Sequence, residues 1–126
     1  MKNSTLLFFM LFLVGLTACE KDYFKAAPAD LNQPVSFSKD IAPIFTGNCA
    51  IASCHVSKGQ IPFLTASTAI EQLLGMADVD TTIAPEKSVL YMRITATSKP
   101  MPPSGKLSSD KINKILAWIK QGAKNN

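Results

Sequence analysis

The sequence predicts an all-α domain, and three observations carry that expectation. Apolar residues recur with the helical period in three stretches, Ile41/Ile44/Phe45, Ile70/Leu73/Leu74 and Ile112/Ile115/Leu116/Ile119, the spacing that lines up side chains on one helix face. Serine or threonine precedes each stretch, supplying the oxygen that a helix N-terminus needs for its unpaired N–H groups. Glycine and proline break the segments between them, which ends helices rather than extending them. A chain of 126 residues has room for one domain, and no internal repeat appears in it.

The chain opens with Met1-Lys2-Asn3 and the apolar run Leu6 to Val14. A positive end followed by a short apolar core is a secretory signal, too short to span a bilayer. Leu16-Thr17-Ala18-Cys19 closes the segment and resembles a bacterial lipoprotein signal. That resemblance implies that residues 1–18 are removed and that Cys19 becomes the lipidated first residue. Several acyl chains on Cys19 anchor a protein stably, because each buried methylene contributes about 0.8 kcal/mol. The anchor would hold the domain to a bacterial membrane in the cell envelope, facing the periplasm or the cell surface, with Glu20-Lys21-Asp22 open to either sorting. The formal charge is +4, and removing residues 1–18 takes away Lys2 alone. No clustered basic face of the kind that binds nucleic acid is present.

From Cys19 to Pro34 few large apolar residues occur, so residues 19–34 are expected to be a lipidated N-terminus and tether, and residues 35–126 the folded domain. Ser36 or Ser38 is expected to cap the first helix, with Pro43 tolerated in its first turn or so. Four residues beyond Phe45 on the same face lies Cys49, so the helix delivers a thiol to its own buried side. Val56 to Pro62 is a loop by its Gly59 and Pro62, with Ile61, Phe63 and Leu64 available to pack on a bound group. Thr65 or Ser67 is expected to cap a short helix through Ile70, Leu73 and Leu74 that stops at Gly75. Asp78 to Pro85 lacks a helical period. Ser88 begins another helix with Leu90, Tyr91 and Ile94 on one face and Met92 opposite. Lys99-Pro100-Met101-Pro102-Pro103 forms neither helix nor inner strand, and its prolines hold Met101 in a stiff, extended loop. The last helix has Ser108 or Ser109 as cap, Asp110 at its positive end, Trp118 bordering its apolar stripe and Gly122 as terminator.

Chemistry concentrates at Cys49-Ala50-Ile51-Ala52-Ser53-Cys54-His55. Two thiols followed at once by an imidazole suit a haem held covalently by Cys49 and Cys54 and ligated through iron by His55. The usual signature places two residues between the cysteines; here there are four, and a longer loop that bulges still meets the requirement of two sulfurs on one macrocycle edge. Two other readings stand beside it. A Cys49–Cys54 disulfide suits an oxidising compartment but leaves His55 and the methionine loop without a role. A zinc ion needs four ligands, and the chain has a single histidine. With no second histidine, a sixth iron ligand is a methionine or is absent. Met76 and Met92 suit packing, the usual role of the residue, and Met101 is the candidate.

The order of capped helix, Cys49…Cys54-His55, short helices, Met101-Pro102-Pro103 loop and final helix ending in Trp118-Ile119-Lys120-Gln121-Gly122-Ala123 resembles a single-haem class I cytochrome c domain with a variant Cys-x4-Cys-His site. The likeness covers roughly residues 35–124. It implies a cytochrome c-like fold with the first and last helices packed together around one covalent haem c. It further implies thioether bonds at Cys49 and Cys54, His55 and Met101 as axial iron ligands, electron transfer to redox partner proteins, and no enzymatic turnover. Lys58, Lys99 and Lys106 neighbour the segments concerned and are expected to form a basic docking rim. The rival from another class is a haem-based sensor or small-molecule binder with an open or labile sixth site, which weak peroxidase activity would accompany. A third is a cofactor-free interaction module closed by a disulfide.

Overall fold

A computed structural model describes residues 30–126; the expected signal peptide, the expected lipidation site Cys19 and residues 20–29 of the expected 19–34 tether lie outside the described residues. Among the described residues the domain is helical and contains no strand. The first helix begins with a π-helical turn, Phe37–Ile41, that runs directly into α1, Ala42–Asn48. Ser36 is its cap, its hydroxyl accepting from the Lys39 N–H at 3.3 Å. Ser38 instead donates its hydroxyl to the Asn126 carbonyl at 2.9 Å. Pro43 falls in the opening turn of α1, where an N–H is not needed. Next come α2, Ala69–Gly75; a 3-10 turn, Pro85–Lys87; α3, Val89–Thr95; and α4, Ser109–Lys120.

The first helix and α4 pack antiparallel, which four contacts fix in register. Val35 donates its N–H to Gln121 Oε1 at 3.0 Å, the rings of Phe37 and Trp118 lie 5.7 Å apart, Asp40 pairs with Lys114 at 3.3 Å, and Asn48 accepts from Lys111 at 3.1 Å. Numbers rise along one helix as they fall along the other. Phe45 meets the Trp118 ring edge-on at 6.4 Å, so Phe37, Phe45 and Trp118 form the aromatic centre of the core, an arrangement their ring quadrupoles favour. Trp118 is 1% exposed and does not merely border the stripe. Its indole N–H donates to the Lys124 carbonyl at 3.0 Å, which removes the one polar cost of burying it.

Gly122 ends α4 as its sequence suggests. With φ at 91° it lets the chain reverse, the Gly122 N–H reaching the Ile119 carbonyl at 2.9 Å and the Ala123 N–H the Trp118 carbonyl at 2.9 Å. Those two bonds make a Schellman cap. The returning tail brings Asn126 to the first helix, where its carbonyl accepts the Ser38 N–H and its Oδ1 the Phe37 N–H, each at 2.9 Å.

One short helix departs from expectation. The N-cap of α2 is Thr68, not Thr65 or Ser67, because Thr65 is occupied one turn earlier: its carbonyl accepts the Ala69 N–H at 2.9 Å and its hydroxyl pairs with Thr68 at 2.7 Å. Ala69 and Leu73 face the core while Leu74 is exposed; in so short a helix the buried sector is narrow. In α3, Leu90 and Ile94 are buried, Tyr91 packs against the core, and Met92 is exposed, as the period predicts. Ser88 holds the N-cap of α3. Ser108, at the N-cap of α4, makes no side-chain cap bond.

Candidate functional site

Cys49 continues α1. Its N–H donates to the Phe45 carbonyl at 2.8 Å, so the thiol falls on the buried face and the residue is 8% exposed. The chain then turns back. Cys54 donates to the Ile51 carbonyl at 2.9 Å, Ser53 adopts a left-handed φ of 65°, and the His55 N–H reaches the Cys49 carbonyl at 3.1 Å. This last bond closes the four-residue insert into a loop and returns Cys54 and His55 to the side of Cys49.

A second turn holds the imidazole. His55 Nδ1 lies 2.9 Å from the Pro62 carbonyl and 3.2 Å from the Gln60 carbonyl. A carbonyl only accepts, so Nδ1 carries a proton, and in the neutral imidazole the lone pair is on Nε2. Metal-ligating histidines are fixed in this way, the second nitrogen held by a carbonyl so that ring orientation and tautomer are set. The turn is drawn tight by Gln60 donating to the Cys54 carbonyl and Leu64 to the His55 carbonyl, both at 2.7 Å. Gly59 makes this possible: a Cβ there would collide with the Cys54 carbonyl oxygen and press on Val56. Leu64 is buried, Phe63 half-buried and Ile61 exposed.

Both cysteines are free thiols. Burial pushes the Cys49 thiol up to about 11; the neighbouring Cys54 adds to the rise and Lys111 opposes it. Cys54 and His55 are half-buried.

Met101 sits on a separate loop. Its N–H donates to the Arg93 carbonyl at 3.0 Å, which fastens the loop to the end of α3, and the side chain is left 37% exposed with Pro102 buried beside it. Thus Cys49, Cys54 and His55 share one closed loop, while Met101 is carried by α3. Asp78 relates the two. Its carbonyl accepts the Leu90 N–H from α3 at 2.9 Å; burial raises its carboxyl pKa, while Arg93 and His55 both draw it down.

The donor set fits a covalent haem: two free thiols, one imidazole with its Nε2 lone pair available, and apolar surface without a protein partner. Among the described residues the exposed large hydrophobics, including Ile51, Ile61, Met76, Ile83, Met92 and Met101, all fall between the Cys49 loop and α4, and none belongs to α1 or α4. No group of three or more His, Cys, Asp or Glu side chains able to hold a single ion comes together among the described residues. The sequence marked Cys49, Cys54 and His55 but not the Gln60 and Pro62 carbonyls, because backbone acceptors carry no side-chain signature. Asp78 was also missed, since only the fold places its carboxyl where Arg93 and His55 act on it through charge. Gly59 was legible as a loop residue, though not its close approach to Cys54. No protein-family model matches the chain, and neither does any curated protein or any solved structure.

Proposed function

We propose that this protein is a membrane-anchored c-type cytochrome of cytochrome c-like fold, an electron carrier with one haem c. The observation that carries this reading is the His55 imidazole, held at Nδ1 by two carbonyls, directly after the second of two free thiols and with its own N–H closing the loop back onto Cys49. Cys49 and Cys54 would hold the macrocycle, and His55 Nε2 and the Met101 thioether would hold the iron. Haem iron ligated by histidine and methionine supplies one-electron exchange between ferrous and ferric states, at a potential that the soft thioether raises. The chain's own contribution is placement: the Gln60 and Pro62 carbonyls hold the His55 imidazole at Nδ1, and the exposed apolar side chains between Ile51 and Met101 would supply apolar cover to the macrocycle. Cys19 would supply the lipid anchor, and redox proteins would be the partners.

An absorption spectrum of the oxidised and reduced protein, expressed with haem-attachment machinery, tests the proposal. Denaturing electrophoresis followed by haem staining reports covalency. Sharp reduced bands, together with a red ferric thioether–iron band that Met101→Ala abolishes, are expected. A folded, colourless protein would overturn the reading and return Cys49 and Cys54 to a disulfide. The exposure of Met101, tied to α3 by one backbone hydrogen bond, favours a second reading: a haem-based sensor or small-molecule binder whose sixth site opens. Covalent haem lacking the thioether band would select it.

A further inference from the structure

The place where the chain joins the domain and the place of its Cys49–His55 loop are fixed at opposite ends of one helix pair. Gln121, just past α4, clamps the incoming segment: its Nε2 donates to the Gln33 carbonyl at 2.7 Å and the Leu31 carbonyl at 3.4 Å, and its Oε1 accepts the Val35 N–H at 3.0 Å. From Phe37 the first helix runs away from this clamp to Cys49, a distance of roughly 18 Å at 1.5 Å per residue. The N-terminal end of α4 lies there too, through Lys111 and Asn48, and the Met101 loop leads into that end.

We infer that the protein stands on its membrane with the C-terminal end of α4 against the lipid headgroups and the Cys49–His55 loop turned away from them, an inference that rests on Cys19 as the lipid anchor. Between Cys19 and Asp30 the chain reaches at most about 38 Å, and a domain of this size has a radius of gyration of about 13 Å. The lipid-tethered end therefore meets the surface readily, whereas bringing the opposite end down requires the tether to run the length of the domain. Charge permits this placement but does not select it, exposed lysines lying both at the clamped end and outside it. Lys39, Lys120 and Lys124 are exposed at the clamped end, Asp40 nearby is already paired with Lys114, and Asp30 lies close enough to Lys120 to feel its charge. Near an anionic bilayer each lysine biases the equilibrium by about five-fold. Lys58, Lys99 and Lys106 are also exposed but lie outside the clamped end. The site would then receive an acidic partner arriving from the aqueous phase rather than one embedded in the same membrane.

Lysine labelling tests this on the lipidated full chain, without substitution and without reference to haem. The protein is reconstituted into vesicles of mixed phosphatidylglycerol and phosphatidylcholine, treated with a membrane-impermeant amine-acylating reagent, and compared with detergent-solubilised protein by peptide mass spectrometry. Labelling of Lys120 and Lys124 is expected to fall several-fold on the vesicles, with Lys58, Lys99 and Lys106 unchanged. Uniform labelling, or protection at Lys58, Lys99 and Lys106 instead, overturns the orientation while leaving the anchor in place. Failure to co-sediment with the vesicles overturns the anchor and the orientation with it.

Discussion

At the scale of single residues, the candidate site depends on Gly59. Its backbone passes so near the Cys54 carbonyl that a methyl group has no room, and the obstacle is backbone, which cannot rotate aside. Gly59→Ala is expected to destabilise the domain by about 1–3 kcal/mol, the range for overpacking a tight site, and to loosen the turn that presents the Gln60 and Pro62 carbonyls to His55. A denaturant midpoint indistinguishable from the parent's would show that the turn has slack. The two thiols differ as sharply. In haem-free protein Cys54 is expected to react with iodoacetamide faster than Cys49, whose burial opposes both access and ionisation. The folded state holds the Cys49 proton more tightly than the unfolded chain does. Its contribution to stability is therefore complete below the ordinary value of 9.0 and is lost as pH rises through about 11. Equal alkylation rates at both positions below pH 9 would contradict the buried placement of Cys49.

At the scale of elements, the first helix and α4 are joined through aromatic packing more than through charge. The Lys114–Asp40 pair is largely exposed, and such pairs contribute little, about 0–1 kcal/mol. Phe37, Phe45 and Trp118 are buried together. Trp118→Ala is expected to cost about 3–5 kcal/mol, a large part of the 5–15 kcal/mol that holds typical domains, whereas Trp118→Phe retains the edge contacts and costs less. Urea unfolding followed by circular dichroism measures both. An alanine variant as stable as the phenylalanine one would mean that the two helices do not depend on this ring. The helical period gave the stripe of α4 from Ile112 to Ile119 and left Trp118 at its border. A period orders side chains by angle but does not say how wide a sector the neighbours cover, and Phe37 and Phe45 extend that sector over Trp118. In α2 the opposite happened: Leu74 fits the stripe by spacing, yet no element among the described residues covers it.

At the scale of the molecule, the proposed docking rim of Lys58, Lys99 and Lys106 makes its own prediction. Charges at the rim of a contact act on encounter rate and salt dependence more than on affinity. Reversing Lys58, Lys99 and Lys106 to glutamate is therefore expected to slow electron transfer with an acidic partner and to invert its dependence on ionic strength, added salt then raising the rate by screening repulsion, leaving the absorption spectrum unchanged. Stopped-flow kinetics across a salt series provide the check, and unaltered rates would reduce these lysines to solvated surface. The sequence by itself determined the helical class, the span and termination of α4, and the association of Cys49, Cys54 and His55, because periodicity, capping residues and adjacency along the chain are local properties. Only the tertiary structure decided which carbonyls hold His55, that Trp118 lies at the centre of the core, that Gln121 clamps the incoming chain, and that Met101 hangs from α3. Each of these depends on which segments meet across the fold, and such meetings are settled by burial and hydrogen-bond satisfaction over the whole chain.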